Sequence, residues 1–311
     1  MTELGLIIHM GLYSVYGFDD IKSLRRRKTQ NGSEWYQRRL TEKSDYRPVS
    51  GHVATKEYHK EHYGDASYYD VISQFDEDSL FWRPDVWMKA FVKRKVDYVI
   101  LTAKHHDGFC LFDTKTTSCK SKRNIIGEFV ESARKYGIKV GIYYSLCEFN
   151  VNVTKKYIEE IMLPQMAELR KYKPDIWWFD GHWCFSTKFA HNSLKELSKL
   201  LKEDNPDVEI NDRIVYDYTY NNFSDRHIPE VKPETKWESV QTIGISWGFC
   251  RTQERKDYKT GEELFDLYKK VKELGGKFLL NLGPQSNGIF DENEAKSLVS
   301  FCEMRMKEDE K

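Results

Sequence analysis

A buried strand that runs straight into two adjacent histidines and an aspartate constrains this chain more than any other segment. The apolar run Tyr98-Val99-Ile100 continues into Leu101-Thr102-Ala103-Lys104-His105-His106-Asp107-Gly108-Phe109. Neighbouring side chains on a strand point to opposite faces, so such an end presents polar groups in several directions at once. In a barrel of parallel strands, the residues at a strand's C-terminal end face substrate rather than core. A lone histidine here would read as part of a solvated turn. Two histidines, an aspartate and a glycine directly after a β-branched run point instead to function.

Three more segments repeat the pattern. Asp175-Ile176-Trp177-Trp178-Phe179-Asp180-Gly181 places a carboxylate at the tip of an aromatic strand, before a glycine that lets the chain turn. Leu4-Gly5-Leu6-Ile7-Ile8-His9-Met10-Gly11 and Val140-Gly141-Ile142-Tyr143-Tyr144-Ser145 are the other two. Between these strands lie helical patterns. Pro84 opens a helix over 85–95. Phe129, Val130, Ala133 and Tyr136 recur at helical spacing, and Gly137 ends that helix. A helix over 155–172 contains Pro164, so a kink is expected there. Further helices are expected over 193–202, 262–274 and 292–306. The polar stretch 19–65, with Arg25-Arg26-Arg27-Lys28, reads as a solvated loop. Strand-helix alternation implies a parallel sheet. The expected fold is α/β, a (β/α)8-like TIM barrel, regular or irregular, with residues 1–311 as one catalytic domain.

Lysine plus arginine balance aspartate plus glutamate at 49 each, so nothing in the charge calls for nucleic acid or an anionic membrane. No run approaches the roughly 20 apolar residues of a membrane span. The first strand starts within a few residues of Met1, which leaves no room for a leader. The six cysteines are scattered without metal-ligand spacing and read as reduced thiols of a cytoplasmic protein. The sequons at Asn31, Asn152 and Asn222 then read as chance. Adjacent His105 and His106 cannot both reach one metal from a strand, so neither a metal nor another cofactor is expected.

The strand ends, taken with five further segments, resemble glycoside hydrolase family 29, the α-L-fucosidases. The matching segments include Ile7 to Ser14, Gly32-Ser33-Glu34-Trp35-Tyr36, Leu101 to Phe109, Ile176 to Gly181 and Ile210-Asn211-Asp212-Arg213. Lys236-Trp237-Glu238, Ile245 to Phe249 and Gly275 to Pro284 follow in the family's order. The resemblance implies a bare catalytic barrel, lacking the C-terminal β-sandwich and the helix before the first strand that many members carry. Met10 departs from the tryptophan that is usual there.

The resemblance also implies a retaining mechanism with two carboxyl groups roughly 5–5.5 Å apart. Asp180 matches the nucleophile. The acid/base falls on the variable loop 214–236, where the proline spacing after Asp225-Arg226-His227-Ile228-Pro229 favours Asp225, with Glu230 and Glu238 as alternatives. In members that place a glutamate further upstream, the register falls on Asn222. Substrate contacts carried over are His9, Glu34, Trp35, His105, His106, Tyr144, Trp178, Arg213 and Trp247. Histidines, a glutamate and an arginine suit ring hydroxyls, tryptophans suit the apolar sugar face, and Arg213 beside Asp180 would keep the nucleophile ionised. The expected substrate is a fucosylated glycan or oligosaccharide. The alternatives are a catalytically impaired fucose-binding protein and a glycosidase for a related sugar.

Overall fold

A computed structural model describes residues 2–27, 31–43 and 49–310. Its named strands form one seven-stranded sheet in the order β5-β4-β3-β2-β1-β7-β6. They are β1 (Leu4–Ile8), β2 (Tyr98–Lys104), β3 (Lys139–Ser145), β4 (Ile176–Asp180), β5 (Glu209–Ile210), β6 (Glu238–Thr242) and β7 (Lys277–Leu282). The β2–β3, β3–β4 and β4–β5 ladders are parallel. Between β5 and β6 the chain supplies a short stitch in place of a strand. Asn211 bridges Tyr220 and Asn221 bridges Trp237, both in parallel sense, with Asn221 N–H donating to Lys236 O at 3.0 Å and Glu238 N–H to Asn221 O at 2.9 Å. Seven strands and this stitch make an irregular (β/α)8-like layout. Strands buried along their whole length, as β1, β2 and β4 are, are what parallel sheets covered on both faces require.

The chain divides into two compact units. The first is Met1–Ile7, Arg83–Gln241 and Asp266–Leu280. Its helices form as the sequence predicts, with small shifts of boundary. Pro84–Lys93 carries Pro84 in its first turn, and Ile125–Lys135 is capped by the Asn124 side chain on Gly127 N–H. The helix Lys188–Asp204 is capped by Thr187 on Ala190 N–H. The expected kink near Pro164 takes the form of a π turn, Ile158–Met162, inserted between the α-helical Lys155–Tyr157 and Leu163–Arg170. Proline has no N–H to give, and the wider turn accommodates that loss.

The second unit is Ile8–Trp82, Thr242–Phe265 and Asn281–Lys311. Here the polar stretch 19–65 departs from the expected loop. It holds the helices Ile21–Arg26, Tyr36–Leu40 and His52–Tyr63. Of the basic cluster, Lys28 lies outside the described residues. Arg25 is paired with Asp257 at 2.7 Å and Arg27 with the buried Asp19 at 2.6 Å. The packing is aromatic: Tyr16 stacks on Tyr36 at 4.2 Å and on Tyr68 at 5.2 Å, and Tyr36 Oη lies 2.9 Å from His59 Nδ1.

Candidate active site

Asp180 ends β4, and the strand's alternation decides what surrounds it. Trp178 and Asp180 share one face of the sheet, while Trp177 and Phe179 stack on the other. Tyr143 and Ser145 of β3 pair in register with Trp178 and Asp180. Tyr143 Oη donates to Asp180 Oδ2 at 3.0 Å. Arg213 Nη1 donates to Asp180 Oδ1 at 2.8 Å, and Gly181 N–H reaches the same oxygen at 3.0 Å. His106 Nε2 lies 3.4 Å from Oδ2, and Ser145 Oγ, 2.6 Å from His106 Nδ1, orients the ring. Burial alone would raise the Asp180 carboxyl. The Arg213 charge and the His106 contact overcome it and hold the group well below the usual carboxylate range. A buried carboxylate that stays ionised is suited to act as a nucleophile.

Tyr144, expected from the sequence as a substrate contact, points the other way. Its hydroxyl donates to Gln165 Oε1 at 2.7 Å, and Lys104 Nζ sits 4.5 Å above its ring. The neighbouring tyrosine, Tyr143, is the one that touches Asp180. Trp178 is likewise buried. It stacks on Tyr143 at 5.5 Å and lies under the Arg213 guanidinium at 4.5 Å, with Nε1 donating to Glu238. It is the floor on which the Asp180 partners rest.

The turn after β2 divides its labour. A bulge between Thr102 and Lys104 shifts the register against β3, and bulges of this kind re-aim side chains beside functional sites. His105 stacks on Tyr143 at 5.7 Å and lies 4.4 Å from His106. Asp107 is buried and accepts from Phe109 N–H at 3.2 Å, a turn-holding role.

The three acid/base candidates separate sharply. Asp225 shares the Arg213 guanidinium with Asp180, accepting from Nη2, and keeps 39% of its side chain exposed. Two carboxylates on the two ends of one guanidinium make a compact pair. Glu230 is exposed on the same loop. Glu238 is fully buried, accepting from Tyr98 Oη at 2.5 Å, Trp178 Nε1 at 3.1 Å and Asn222 Nδ2 at 2.8 Å. It supports the floor and does not sit with the Asp180 oxygens. Asn222, the alternative register, is spent on Glu238, and its burial also keeps that sequon from an oligosaccharide. The loop that carries Asp225 holds four non-glycine residues at positive φ: Val215 (74°), Asp217 (50°), Phe223 (58°) and Arg226 (57°). For β-branched Val215 this is a strained backbone, of the kind retained where geometry is over-determined by its surroundings.

In the second unit, His9, Trp247 and Asn281 form a cluster. His9 Nδ1 lies 2.6 Å from Asn281 Oδ1, Asn281 Nδ2 donates to Trp247 O at 2.8 Å, and the His9 and Trp247 rings are 5.3 Å apart. Asn281 belongs to the run that the sequence singled out around Pro284, but its polar side chain inside an apolar strand was the only signal of this role. Glu34 is buried and accepts from Gly32 N–H at 2.6 Å and Gly248 N–H at 3.2 Å. Burial pushes its carboxyl up, against these bonds and the Arg39 charge. Glu34 thus ties its own turn to the backbone beside Trp247. Gly32 lies so close to Ser246 that a Cβ would sit 2.0 Å from its Oγ. Trp35, next to Glu34, is half-buried. Among the described residues, no group of three or more His, Cys, Asp or Glu side chains is placed to hold a metal ion.

A sequence model of the family described as Alpha-L-fucosidase matches residues 2–306. An alpha-L-fucosidase of Dictyostelium discoideum is 29% identical over 96% of this chain and 67% of its own. Human tissue alpha-L-fucosidase is 29% identical over 93% of this chain and 62% of its own. The chain therefore spans about two thirds of the length of these relatives. Among solved structures, Thermotoga maritima alpha-fucosidase with a mechanism-based inhibitor superposes with a TM-score of 0.82 at 28% identity, covering 99% of this chain and 73% of the other. The same Thermotoga protein is also known in complex with fucose. Unliganded alpha-L-fucosidase from Lactobacillus casei, at 21% identity and a TM-score of 0.76, shares the fold over 99% of this chain and 97% of its own. With the sequence match running from residue 2 to 306, the chain belongs to the alpha-L-fucosidase family, glycoside hydrolase family 29.

Proposed function

We propose that this protein is a retaining α-L-fucosidase that hydrolyses terminal α-L-fucosyl residues of glycans or oligosaccharides. The observation that carries the reading is Asp180, buried at a strand end and kept ionised by Arg213 and His106. The fucose complex of the Thermotoga relative supports a fucosyl substrate.

In the first step an Asp180 oxygen attacks the anomeric carbon, and the bond to the glycosidic oxygen breaks. The leaving oxygen takes a proton from the Asp225 carboxyl. In the second step water attacks the same carbon, gives its proton to Asp225 and releases Asp180 as carboxylate. Two inversions return the original anomer. Asp225 must exchange its Arg213 contact for the glycosidic oxygen in order to donate. Tyr143 and Arg213 fix the two Asp180 oxygens, so the carboxylate presents itself without a rotational search. On the family resemblance, His105 and His106 take part in holding the sugar, which His105→Ala tests through a raised KM.

A panel of an aryl α-L-fucoside and natural fucosylated oligosaccharides, assayed by product release, tests the reading. The protein releases fucose from both classes, and Asp180→Asn releases none from either while remaining folded. Ordinary turnover by Asp180→Asn, or no release by the parent protein, overturns the proposal.

A further inference from the structure

Two cysteines that the catalytic steps leave unused meet beside Asp180. Cys147 follows the end of β3 and is buried, and half-buried Cys184 closes the short turn His182–Cys184 after β4. Leu146 N–H donates to Asp180 O at 2.8 Å, which joins the ends of the two strands. Gly181, next in the chain, lies so close that a Cβ there would sit 2.8 Å from Cys147 Sγ. Cys184 N–H donates to Gly181 O at 3.3 Å, so one tight turn brings Cys184 back toward Cys147. The Cys147 thiol donates a hydrogen bond to the Cys184 sulfur, and both are free thiols.

The pair has the asymmetry that thiol oxidation needs. Burial pushes the Cys110, Cys119 and Cys250 thiols up. The hydrogen bond from Cys147 instead favours the Cys184 thiolate and brings that group down, while Cys147 itself is pushed up. Cys184 is also the less buried member, so a small oxidant meets the more reactive sulfur first. We infer that Cys147 and Cys184 are an oxidative modification site, which a hydroperoxide closes to a disulfide that stops turnover at Asp180. The Cys184 thiolate attacks one peroxide oxygen, the O–O bond breaks and hydroxide departs, leaving a sulfenic acid. Cys147 then attacks that sulfur, the S–O bond breaks, and the Cys147 proton leaves with the oxygen as water. The two thiols lose two electrons in all, and hydrogen peroxide becomes two waters. A disulfide holds its sulfurs closer than a thiol hydrogen bond does, so one segment must move. Gly181 N–H, which leads the turn, holds Asp180 Oδ1 at 3.0 Å. Cys147 O accepts from Ser145 Oγ at 2.5 Å, and the same hydroxyl lies 2.6 Å from His106 Nδ1. Movement of either segment therefore disturbs a neighbour of Asp180, and misplacement by about 1 Å slows a reaction up to ~100-fold. The loss of turnover rests on the fucosidase reading above; the disulfide does not.

The test treats the reduced protein with hydrogen peroxide, maps disulfides by peptide mass and follows release from an aryl α-L-fucoside. In the parent a cross-linked peptide pair joins Cys147 to Cys184, turnover falls at least about tenfold, and dithiothreitol restores both. Cys184→Ser and Cys184→Ala fold, which thermal melting verifies, and each keeps its turnover with and without peroxide. A treated parent with no Cys147–Cys184 peptide overturns the inference. So does a cross-link with unchanged turnover, or a loss in Cys184→Ser that dithiothreitol reverses. A reduced parent that cleaves no fucoside defeats the fucosidase reading instead, and the peptide map still decides the disulfide.

Discussion

Replacing Tyr143 and Tyr144 by phenylalanine, one at a time, separates two residues that are adjacent in sequence and opposite in role. Tyr143 Oη is a hydroxyl donor to Asp180 Oδ2 at 3.0 Å, while Oδ1 is held by Arg213 and Gly181 N–H. Deleting one hydrogen bond to a charged group costs about 1.5–3 kcal/mol, and each 1.36 kcal/mol is tenfold in rate. If that loss appears in the positioning of the nucleophile, kcat/KM for an aryl α-L-fucoside falls by roughly 10- to 150-fold. Asp180 also loses a donor to its ionised form, so the acid limb of the pH profile moves to higher pH. Tyr144→Phe removes the donor to buried Gln165 at 2.7 Å, an uncompensated acceptor worth about 1–3 kcal/mol of stability. Its melting temperature falls by several degrees while kcat/KM stays within about twofold. Steady-state kinetics across pH 4–8 and thermal melts read both effects. If Tyr144→Phe loses the activity and Tyr143→Phe keeps it, the face assignment of β3 is wrong.

Two further outcomes follow from the same structure. Asp225→Ala cuts hydrolysis of natural fucosides strongly and that of an activated aryl fucoside much less, with azide restoring part of the aryl reaction, since a good leaving group departs without a proton; if Glu230→Ala shows this pattern instead, the acid/base role moves to Glu230. Buried Glu294 accepts from Gly283 N–H at 3.2 Å, and burial pushes its carboxyl from 4.5 up to about 8. The folded state therefore binds that proton more tightly than the unfolded one, and stability declines as pH rises from 4.5 to about 8, by up to roughly 5 kcal/mol. Glu294→Gln keeps the acceptor and flattens this decline in melts taken from pH 5 to 9; an unchanged slope refutes it.

The strand ends were legible because each joins an apolar run to a polar tip, and that junction is visible without coordinates. The face on which a residue lies was not. β3 is buried at every position from Val140 to Ser145, so no alternation of polar and apolar residues marks its two sides, and Tyr143 and Tyr144 look equivalent. The helices of the 19–65 stretch escaped for a related reason. The buried positions of Tyr36–Leu40 are Tyr36, Gln37 and Arg39, so the inward face carries polar atoms and the apolar period is lost. Arg39 is buried only because it donates to Gly32 O and Asn31 O at 2.6 Å each and pairs with Asp19 at 3.3 Å. Those partners are not deducible from spacing. Proline spacing favoured Asp225 over Glu230 and Glu238, but the Arg213 fork that joins it to Asp180 is a contact between residues twelve apart and is not readable from spacing.

The central claim is that Asp180 carries the fucosyl group between the two steps. A 2-deoxy-2-fluoro-α-L-fucosyl fluoride slows the second step more than the first, so the covalent intermediate accumulates, and peptide mass mapping locates it. The account predicts a single fucosyl-type adduct on the peptide containing Asp180, absent in Asp180→Asn. An adduct on Asp225, Glu230 or Glu238, or no adduct together with release of the inverted anomer, contradicts it.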